Sequence, residues 1–389
     1  MRHNILCISS WYPTRLKPTL GNFVFKHLEC ACINNNVRVL HVCIDSQIKS
    51  GVERIITEKP FHSIVIYIPQ NNIPIFGKAI NYLKVIRLYL SEYKKMVNEG
   101  FTPDLVHANV VYPIGMIAWL YKRKFGVNYV ISEHWTGYHD YAHLKISALK
   151  RCLIRFSANR AECILPVSED LQKAMQNFGV KNRFEIVGNV VDTELFVPFA
   201  NHNTSSEINI IHISHLNNDQ KNISLLLKTF ATVVQNHTQC KLHIIHDGDL
   251  NTYSPEIKKL GIANKIISYG TLDTTEVAHV LQKADFFVLS SNYENLPCVL
   301  IESLSCGVPI VSTDVGGISE IVNETNGILV KPNQPNELLK AIDKMITKYH
   351  TYNKEQMHQS VVKKFSYQAI GRQFILLYNK CINESPSKQ

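Results

Sequence analysis

The chain predicts an α/β architecture of two Rossmann-like domains facing each other across a cleft. Three observations carry that prediction. At 389 residues the chain exceeds what one hydrophobic core usually serves, so two domains are expected. Apolar runs of strand length alternate with helix-length segments in both halves, the pattern of parallel sheets covered by helices. Between the halves, 197–206 is polar and unpatterned and reads as a linker, which sets the domains at 1–196 and 207–364.

In chain order, the strands of the first domain are expected at Asn4–Ser9, Arg38–Ile44, Ser63–Ile68, Leu105–Ala108, Asn128–Ser132, Cys163–Val167 and Phe184–Val187. Those of the second are expected at Asn209–Ser214, Lys241–His246, Ile266–Tyr269, Phe286–Leu289, Pro309–Ser312 and Gly327–Val330. After the first strand, Gly21 opens a helix expected from Val24 to Ile33, where a glycine lets a backbone come close to a phosphate or sugar. Ligands of such sheets bind outside the carboxyl ends of the strands.

Composition narrows the function. With 45% hydrophobic residues the chain is globular throughout, and no apolar run approaches the roughly 20 residues of a membrane span. The ten cysteines show no metal-type spacing and read as free thiols in a reducing compartment, which places the protein in the cytoplasm. Residues 1–190 carry 24 Lys and Arg against 13 Asp and Glu, while the remainder carries 17 against 19. The whole basic excess thus lies in the first half and favours an anionic partner such as a membrane leaflet, with the protein peripheral at its inner face. Nucleic acid lacks support, because no aromatic-interleaved basic motif is present. A dinucleotide oxidoreductase is disfavoured too: neither G-x-G-x-x-G after the first strand nor a G-x-x-x-x-G-K-[ST] loop occurs.

The most informative segment is Ser290-Ser291-Asn292-Tyr293-Glu294-Asn295-Leu296-Pro297-Cys298-Val299-Leu300-Ile301-Glu302. Pro297 suits a first helical position and Asn295 a cap, so Glu294 falls in a loop and Glu302 on a helix. The amides at the helix start, those of Cys298 and Val299 among them, make a ready site for phosphate. A carboxylate on each side can accept hydroxyl hydrogen bonds, so the segment suits a sugar, a diphosphate and a ribose.

The string from Phe286 to Val322 resembles the donor-binding region of family-4 glycosyltransferases, retaining enzymes of the GT-B fold. The matching residues are Glu294 and Glu302, then Cys306-Gly307-Val308-Pro309, Thr313-Asp314-Val315-Gly316-Gly317 and Glu320-Ile321-Val322. The resemblance implies a nucleoside diphosphate sugar as donor, a UDP-sugar by prior expectation, with Glu302 on the ribose and Glu294, Asn295 and Leu296 at the sugar. It also implies Lys221 on the diphosphate; His215 stands where the family has an arginine and lacks that residue's bidentate fork. The Pro18…Gly21-Asn22-Phe23 segment resembles the family's first loop and adds Gly21 and Asn22 to the diphosphate site. His134, ending an apolar run, falls on a histidine that contacts the transferred sugar, and His107 matches a second one of less defined role.

No cofactor and no metal is expected. Asp247-Gly248-Asp249 has the form of a metal-binding Asp-x-Asp but follows a strand where the family writes a Gly-x-Gly turn. The helical pattern of Phe365–Cys381 is expected to return the C-terminus, 365–389, to the first domain. Two basic amphipathic stretches, 78–97 and 144–160, suit either solvated helix faces or contact with an acceptor or an anionic leaflet. The expected acceptor is a saccharide or lipid-linked saccharide, in surface polysaccharide assembly. The alternatives are a catalytically degenerate protein of the same fold that binds nucleotide sugar or a partner, and an epimerase.

Overall fold

The computed structural model describes residues 2–71, 77–139, 145–199 and 206–383. The chain divides into two compact units. Unit 1 takes Met1–Val167, Gln172–Gly188 and Tyr367–Gln389; unit 2 takes Ser168–Leu171 and Asn189–Ser366.

Unit 1 is built on seven strands: β1 (Asn4–Ser9), β2 (Asn36–Asp45), β3 (Glu53–Thr57), β4 (His62–Pro69), β5 (Leu105–Asn109), β6 (Tyr129–Glu133) and β7 (Ile164–Pro166). Their order in the sheet is β3-β4-β2-β1-β5-β6-β7. All pairs are parallel except β3 with β4. The central strands β5 and β6 are buried along their whole length, as strands covered on both faces must be, and so read as unbroken apolar runs. β3 departs from the expected all-parallel pattern: every one of its residues is exposed, and its Glu-Arg start carries the charge that protects an edge strand. Phe184–Val187, expected as a strand, meets β7 as an isolated parallel bridge between Phe184 and Ile164, with Ile164 N–H to Arg183 O (3.0 Å), Glu185 N–H to Ile164 O (3.0 Å) and Val187 N–H to Pro166 O (3.1 Å). With only three residues, β7 offers no longer ladder.

The helix expected from Val24 runs Asn22–Cys32. The C-terminal helix Tyr367–Asn383 lies against it, and Gly371 permits the close approach: a Cβ there would stand 2.7 Å from Ile33 Cδ1 and 3.1 Å from Cys30 O. That helix also reaches the sheet, where Tyr378 hydroxyl bonds His107 Nδ1 at 2.7 Å.

Unit 2 is a six-stranded, wholly parallel sheet of β8 (Ile208–Ser214), β9 (Cys240–His246), β10 (Ile266–Gly270), β11 (Phe286–Leu289), β12 (Ile310–Thr313) and β13 (Gly327–Val330), in the order β10-β9-β8-β11-β12-β13. One face of its core is closed by Leu226, Phe230, Leu338 and Met345 from the helices Ile223–Asn236 and Pro335–Lys348, packed on Ile210, Leu242 and Phe286.

The change of unit at Gly188 comes earlier than 196, and specific bonds account for it. Asn189 Nδ2 donates to Leu296 O (2.6 Å), Val191 N–H to Phe365 O (3.0 Å) and Ser305 Oγ to Phe196 O (2.6 Å), so 189–196 is fastened to unit 2. Most of the expected linker, 200–205, lies outside the described residues, as do Leu144 of the second basic stretch and 384–389 of the C-terminal return. All ten cysteines are free thiols. No described helix is long and apolar enough to cross a membrane.

Candidate active site

In unit 2 the strand order reverses between β8 and β11, because β9 follows β8 on one side and β12 follows β11 on the other. Loops diverging from such a point leave a crevice at the carboxyl ends of the strands. The two loops here are stitched together. Asn292 N–H donates to Gln220 O (2.7 Å), Asn292 Nδ2 to Asp219 O (2.9 Å) and Ser290 Oγ to Lys221 O (2.9 Å). Across this seam Lys221 Nζ forms an ion pair with Glu294 Oε1, which also accepts from Ser291 Oγ at 2.7 Å. Both members of the pair are buried. Lys221, assigned to the diphosphate by resemblance, is thus bonded to the carboxylate assigned to the sugar.

The loop from Glu294 is braced from β12. Thr313 Oγ1 donates to Ser291 O (2.7 Å) and Gly317 N–H to Asn295 O (2.7 Å). Gly316 has φ +59°, and a Cβ on it would stand 2.0 Å from Glu294 O, so the Gly316-Gly317 pair lets the two backbones touch. The helix after the loop runs Cys298–Ser305, with Pro297 rather than Asn295 in the cap position. Pro297 therefore stands one residue before the helix instead of opening it. The geometry around that start is symmetric along the chain: Glu294 precedes Cys298 by four residues and Glu302 follows it by four. Leu296 is core, its side chain buried and its carbonyl taken by Asn189.

His215 follows β8 and is exposed. Its Nδ1 accepts from Asn217 N–H (3.2 Å), so the proton sits on Nε2, which faces Gln220 Oε1 at 3.2 Å. Gly248 lies against it, with a position for Cβ 2.6 Å from His215 O. Asp249 caps its own turn, its Oδ1 accepting from Asn251 N–H (2.9 Å). Among the described residues no cluster of three or more His, Cys, Asp or Glu could hold a metal ion.

In unit 1 the order reverses between β1 and β5. His134 follows β6 at the same carboxyl edge, buried, its ring 4.5 Å from Phe23 and 5.1 Å from His27 between centroids. Burial holds His134 well below the usual histidine pKa, His27 at about 4 and His107 at about 3. These rings are therefore neutral. His107 has both nitrogens committed, Nδ1 to Tyr378 and Nε2 to Ser132 Oγ (2.8 Å), which makes it a packed core residue. Gly21 is left-handed (φ +80°), and the backbone it admits is the chain's own: a Cβ would meet Trp11 O at 2.7 Å. Asn22, exposed, is the first residue of the helix that follows.

Two family models match this chain. Residues 37–195 match the model of Glycosyltransferase Family 4, and residues 197–360 match Glycosyl transferases group 1. The chain belongs to the family-4 glycosyltransferases. TuaC of Bacillus subtilis, named for glycosyl transfer in teichuronic acid biosynthesis, is 25% identical over 95% of this chain and 94% of its own. An N-acetylgalactosaminyltransferase of Campylobacter jejuni, named for a diphospho-undecaprenol-linked substrate, is 28% identical over 70% of this chain and 74% of its own. The Anabaena protein HepE, solved with UDP and glucose, shares the GT-B fold with a TM-score of 0.73 and 18% identity, covering 97% of this chain and 100% of that one.

This glycosyltransferase holds three buried polar residues that the motifs did not single out. Glu133, fully buried at the end of β6, accepts from the backbone N–H groups of Val111 (2.9 Å), His134 (2.7 Å) and Trp135 (2.9 Å) and from Tyr138 hydroxyl (2.8 Å). Desolvation pushes its carboxyl pKa up against those four donors. It shapes the corner that carries His134. Ser291 orients Glu294, as above. Asn109 ends β5 at the strand-order reversal, fully buried, and neither atom of its side-chain amide has a hydrogen-bond partner within the described residues. A signal for it existed: a buried parallel strand seldom ends in an amide without a reason.

Proposed function

We propose that this glycosyltransferase moves a sugar, with retention and without a metal, from a nucleoside diphosphate donor to a saccharide or lipid-linked saccharide in surface polysaccharide or glycolipid assembly. One observation carries the reading: two carboxylates flank the start of the Cys298–Ser305 helix, and Lys221 is paired with the first of them. Negative charge grows on the departing diphosphate as its bond to the sugar breaks, and fixed positive groups must meet it. Lys221 and the amides of Cys298 and Val299 are those groups, with His215 adding an imidazole N–H donor. Glu302 takes the ribose diol. Glu294, Asn295 and His134 orient the sugar, and Gly21 and Asn22 bring a backbone turn toward the phosphates.

The acceptor oxygen attacks from the face the diphosphate leaves, the electron pair of the broken bond stays on the departing phosphate oxygen, and that phosphate takes the acceptor proton. No side chain then acts as a strong base, which suits a neutral, buried His134. HepE with UDP and glucose favours a UDP-sugar. TuaC and the Campylobacter enzyme favour cell-surface and lipid-linked acceptors, and the basic first half suits work at an anionic membrane surface.

His215 supports a second reading, a protein that binds nucleotide sugar without transferring it, because an imidazole stands where the family has a guanidinium fork. Thermal unfolding with UDP, GDP, ADP, dTDP, CMP and NAD, followed by a transfer assay with the sugars of the responding base, tests both. A ligand at a hundred times its Kd stabilises the native state by about 2.7 kcal/mol. The expected result is a rise in Tm with one nucleoside diphosphate and acceptor-dependent release of that diphosphate. A rise in Tm without release selects the second reading; no rise with any nucleotide overturns both.

A further inference from the structure

Unit 1 contains a cavity of about 680 Å³ that no motif identified. It opens at the carboxyl ends of β1, β2 and β4, beside the first turns of the helix Val111–Phe125, so it lies at the strand-order reversal where sheets of this kind bind ligands. Its volume is that of a site for a drug-sized molecule.

The lining is mostly apolar, with Leu16, Leu20, Val42, Val85, Ile114 and Ile117. The polar groups among the lining residues are largely committed to their own chain. Ser10 Oγ donates to Val110 O (2.9 Å), His41 Nδ1 bonds Ser9 O (3.0 Å), and Asn81 Oδ1 accepts from Asn71 N–H (3.0 Å). Thr14 Oγ1 accepts from Lys17 N–H (3.3 Å), and burial holds His41 neutral, with a pKa of about 4. A free sugar ring needs several convergent donors and acceptors to replace water. This cavity offers few.

The mouth tells what it does offer. Leu16, Ile44 and Tyr82 line the cavity and are 37–41% exposed, an apolar lip open to solvent. Lys17 lines it too and is exposed, while Lys84 and Arg87 are exposed on the adjoining helix Gly77–Asn98. Arg15, by contrast, is spent on Asp45 and Glu53. The cavity is also joined to the His134 corner: Ser10 bonds Val110 O, and the next residue, Val111, donates to the Glu133 carboxylate that accepts from His134 N–H.

We infer that this cavity holds the chain-bearing end of an amphiphilic acceptor, an alkyl or prenyl chain adjoining a phosphate, with the chain inside and the phosphate toward Lys17. The inference rests on the transfer reading above and narrows its acceptor to the lipid-linked class. An apolar interior rewards chain length, a cationic mouth rewards phosphate, and the spent polar groups penalise a free saccharide.

Calorimetric titration of the full chain with hexyl, octyl and decyl phosphate below their micellar concentrations tests it. Each buried methylene tightens binding by up to about fourfold, so affinity is expected to climb steeply along the series. Inorganic phosphate and a free disaccharide are expected not to bind. Val85→Trp fills the cavity from a half-buried position and Leu16→Glu puts charge on the lip. Each is expected to weaken decyl phosphate at least tenfold while nucleoside diphosphate binding stays as in the wild type. A flat series, disaccharide binding stronger than decyl phosphate, or variants that bind decyl phosphate normally overturns the inference while nucleotide binding keeps the transfer reading standing. Loss of all nucleotide binding in folded wild-type protein overturns the transfer reading and the acceptor role with it.

Discussion

The carboxyl edges of the two sheets share one topology and differ in chemistry. Each sheet reverses its strand order near the middle, at β1/β5 in unit 1 and at β8/β11 in unit 2. In unit 2 that edge carries a buried Lys221–Glu294 pair, a second carboxylate on Glu302 and a helix start. In unit 1 it carries neutral buried histidines, a carboxylate saturated by four donors and an apolar cavity. The fold supplies the crevice, and the side chains decide whether it suits an anion or a chain. The charged donor and the amphiphilic acceptor proposed above would call for different solvents, and the two edges differ in that sense.

The largest way to break the contrast is Lys221→Ala. It removes a positive group from the proposed diphosphate site and leaves Glu294 buried without its partner. Transfer is expected to fall about 100- to 1000-fold. Stability in urea is expected to fall by about 3 kcal/mol. Adding Glu294→Gln should restore most of the stability and none of the transfer; recovery of both would show that the pair is structural only.

In unit 1 the corresponding change is Glu133→Ala. It strips three backbone N–H groups and the Tyr138 hydroxyl of their acceptor, at an expected cost of about 3 kcal/mol in chemical unfolding. Nucleoside diphosphate affinity should not move, because Glu133 is remote in sequence from the proposed nucleotide groups Lys221, Glu302 and the Cys298 helix start, which belong to unit 2. A parallel loss of nucleotide binding would erase the division of labour.

Acid separates the edges further. His27, His107 and His134 keep folded pKa values below the unfolded 6.5, His27 at about 4 and His107 at about 3. Between those limits the unfolded chain binds protons that the folded chain refuses. Stability is therefore full above about pH 6.5 and drains as pH falls toward 4, by up to about 1.4 kcal/mol per unit for each such ring. Glu133, raised by burial, works in the opposite sense and offsets part of the loss. His107→Gln, which keeps polar contacts without a titrating ring, should flatten the pH dependence measured by urea unfolding from pH 7 to 4.5; an unchanged slope would mean that the ring is protonated in the folded state.

The smallest expected effect is that of chelation. Transfer should be the same with and without EDTA, and Asp249→Asn, which retains the cap, should change the rate by less than twofold, within the few tenths of a kcal/mol of a conservative surface change. A rate that collapses with EDTA and returns with a divalent cation would put a metal in the donor site.

Much of this was legible in the sequence, for identifiable reasons. The two α/β units follow from apolar runs that stay unbroken where a strand is covered on both faces, as in Leu105-Val106 and Phe286-Phe287-Val288-Leu289, while the family follows from the motif string between Glu294 and Val322. β11 and β13 lie where the runs put them, while Glu53–Thr57 was hidden because an exposed edge strand has no buried face to leave a pattern. Around the donor segment, Glu294, the helix start and Glu302 are neighbours along the chain, so spacing alone relates them. The Lys221–Glu294 contact spans 73 residues and depends on β8 lying beside β11, which no local pattern states. At Gly21 the glycine's freedom is visible in sequence, while the Trp11 backbone it accommodates is not. The unit 1 cavity is likewise invisible, since it is enclosed by residues from five segments that are separate in sequence.

The central claim is that the donor is held at the β8/β11 edge of unit 2. Amide hydrogen exchange of the full chain with and without the nucleoside diphosphate that raises its Tm tests this most directly. Slowed exchange is predicted in peptides covering 214–222 and 290–302, with the β1/β5 edge around Asn109 and Val110 unchanged. Protection centred on the β1/β5 edge, with 290–302 exchanging as in the free protein, would contradict it.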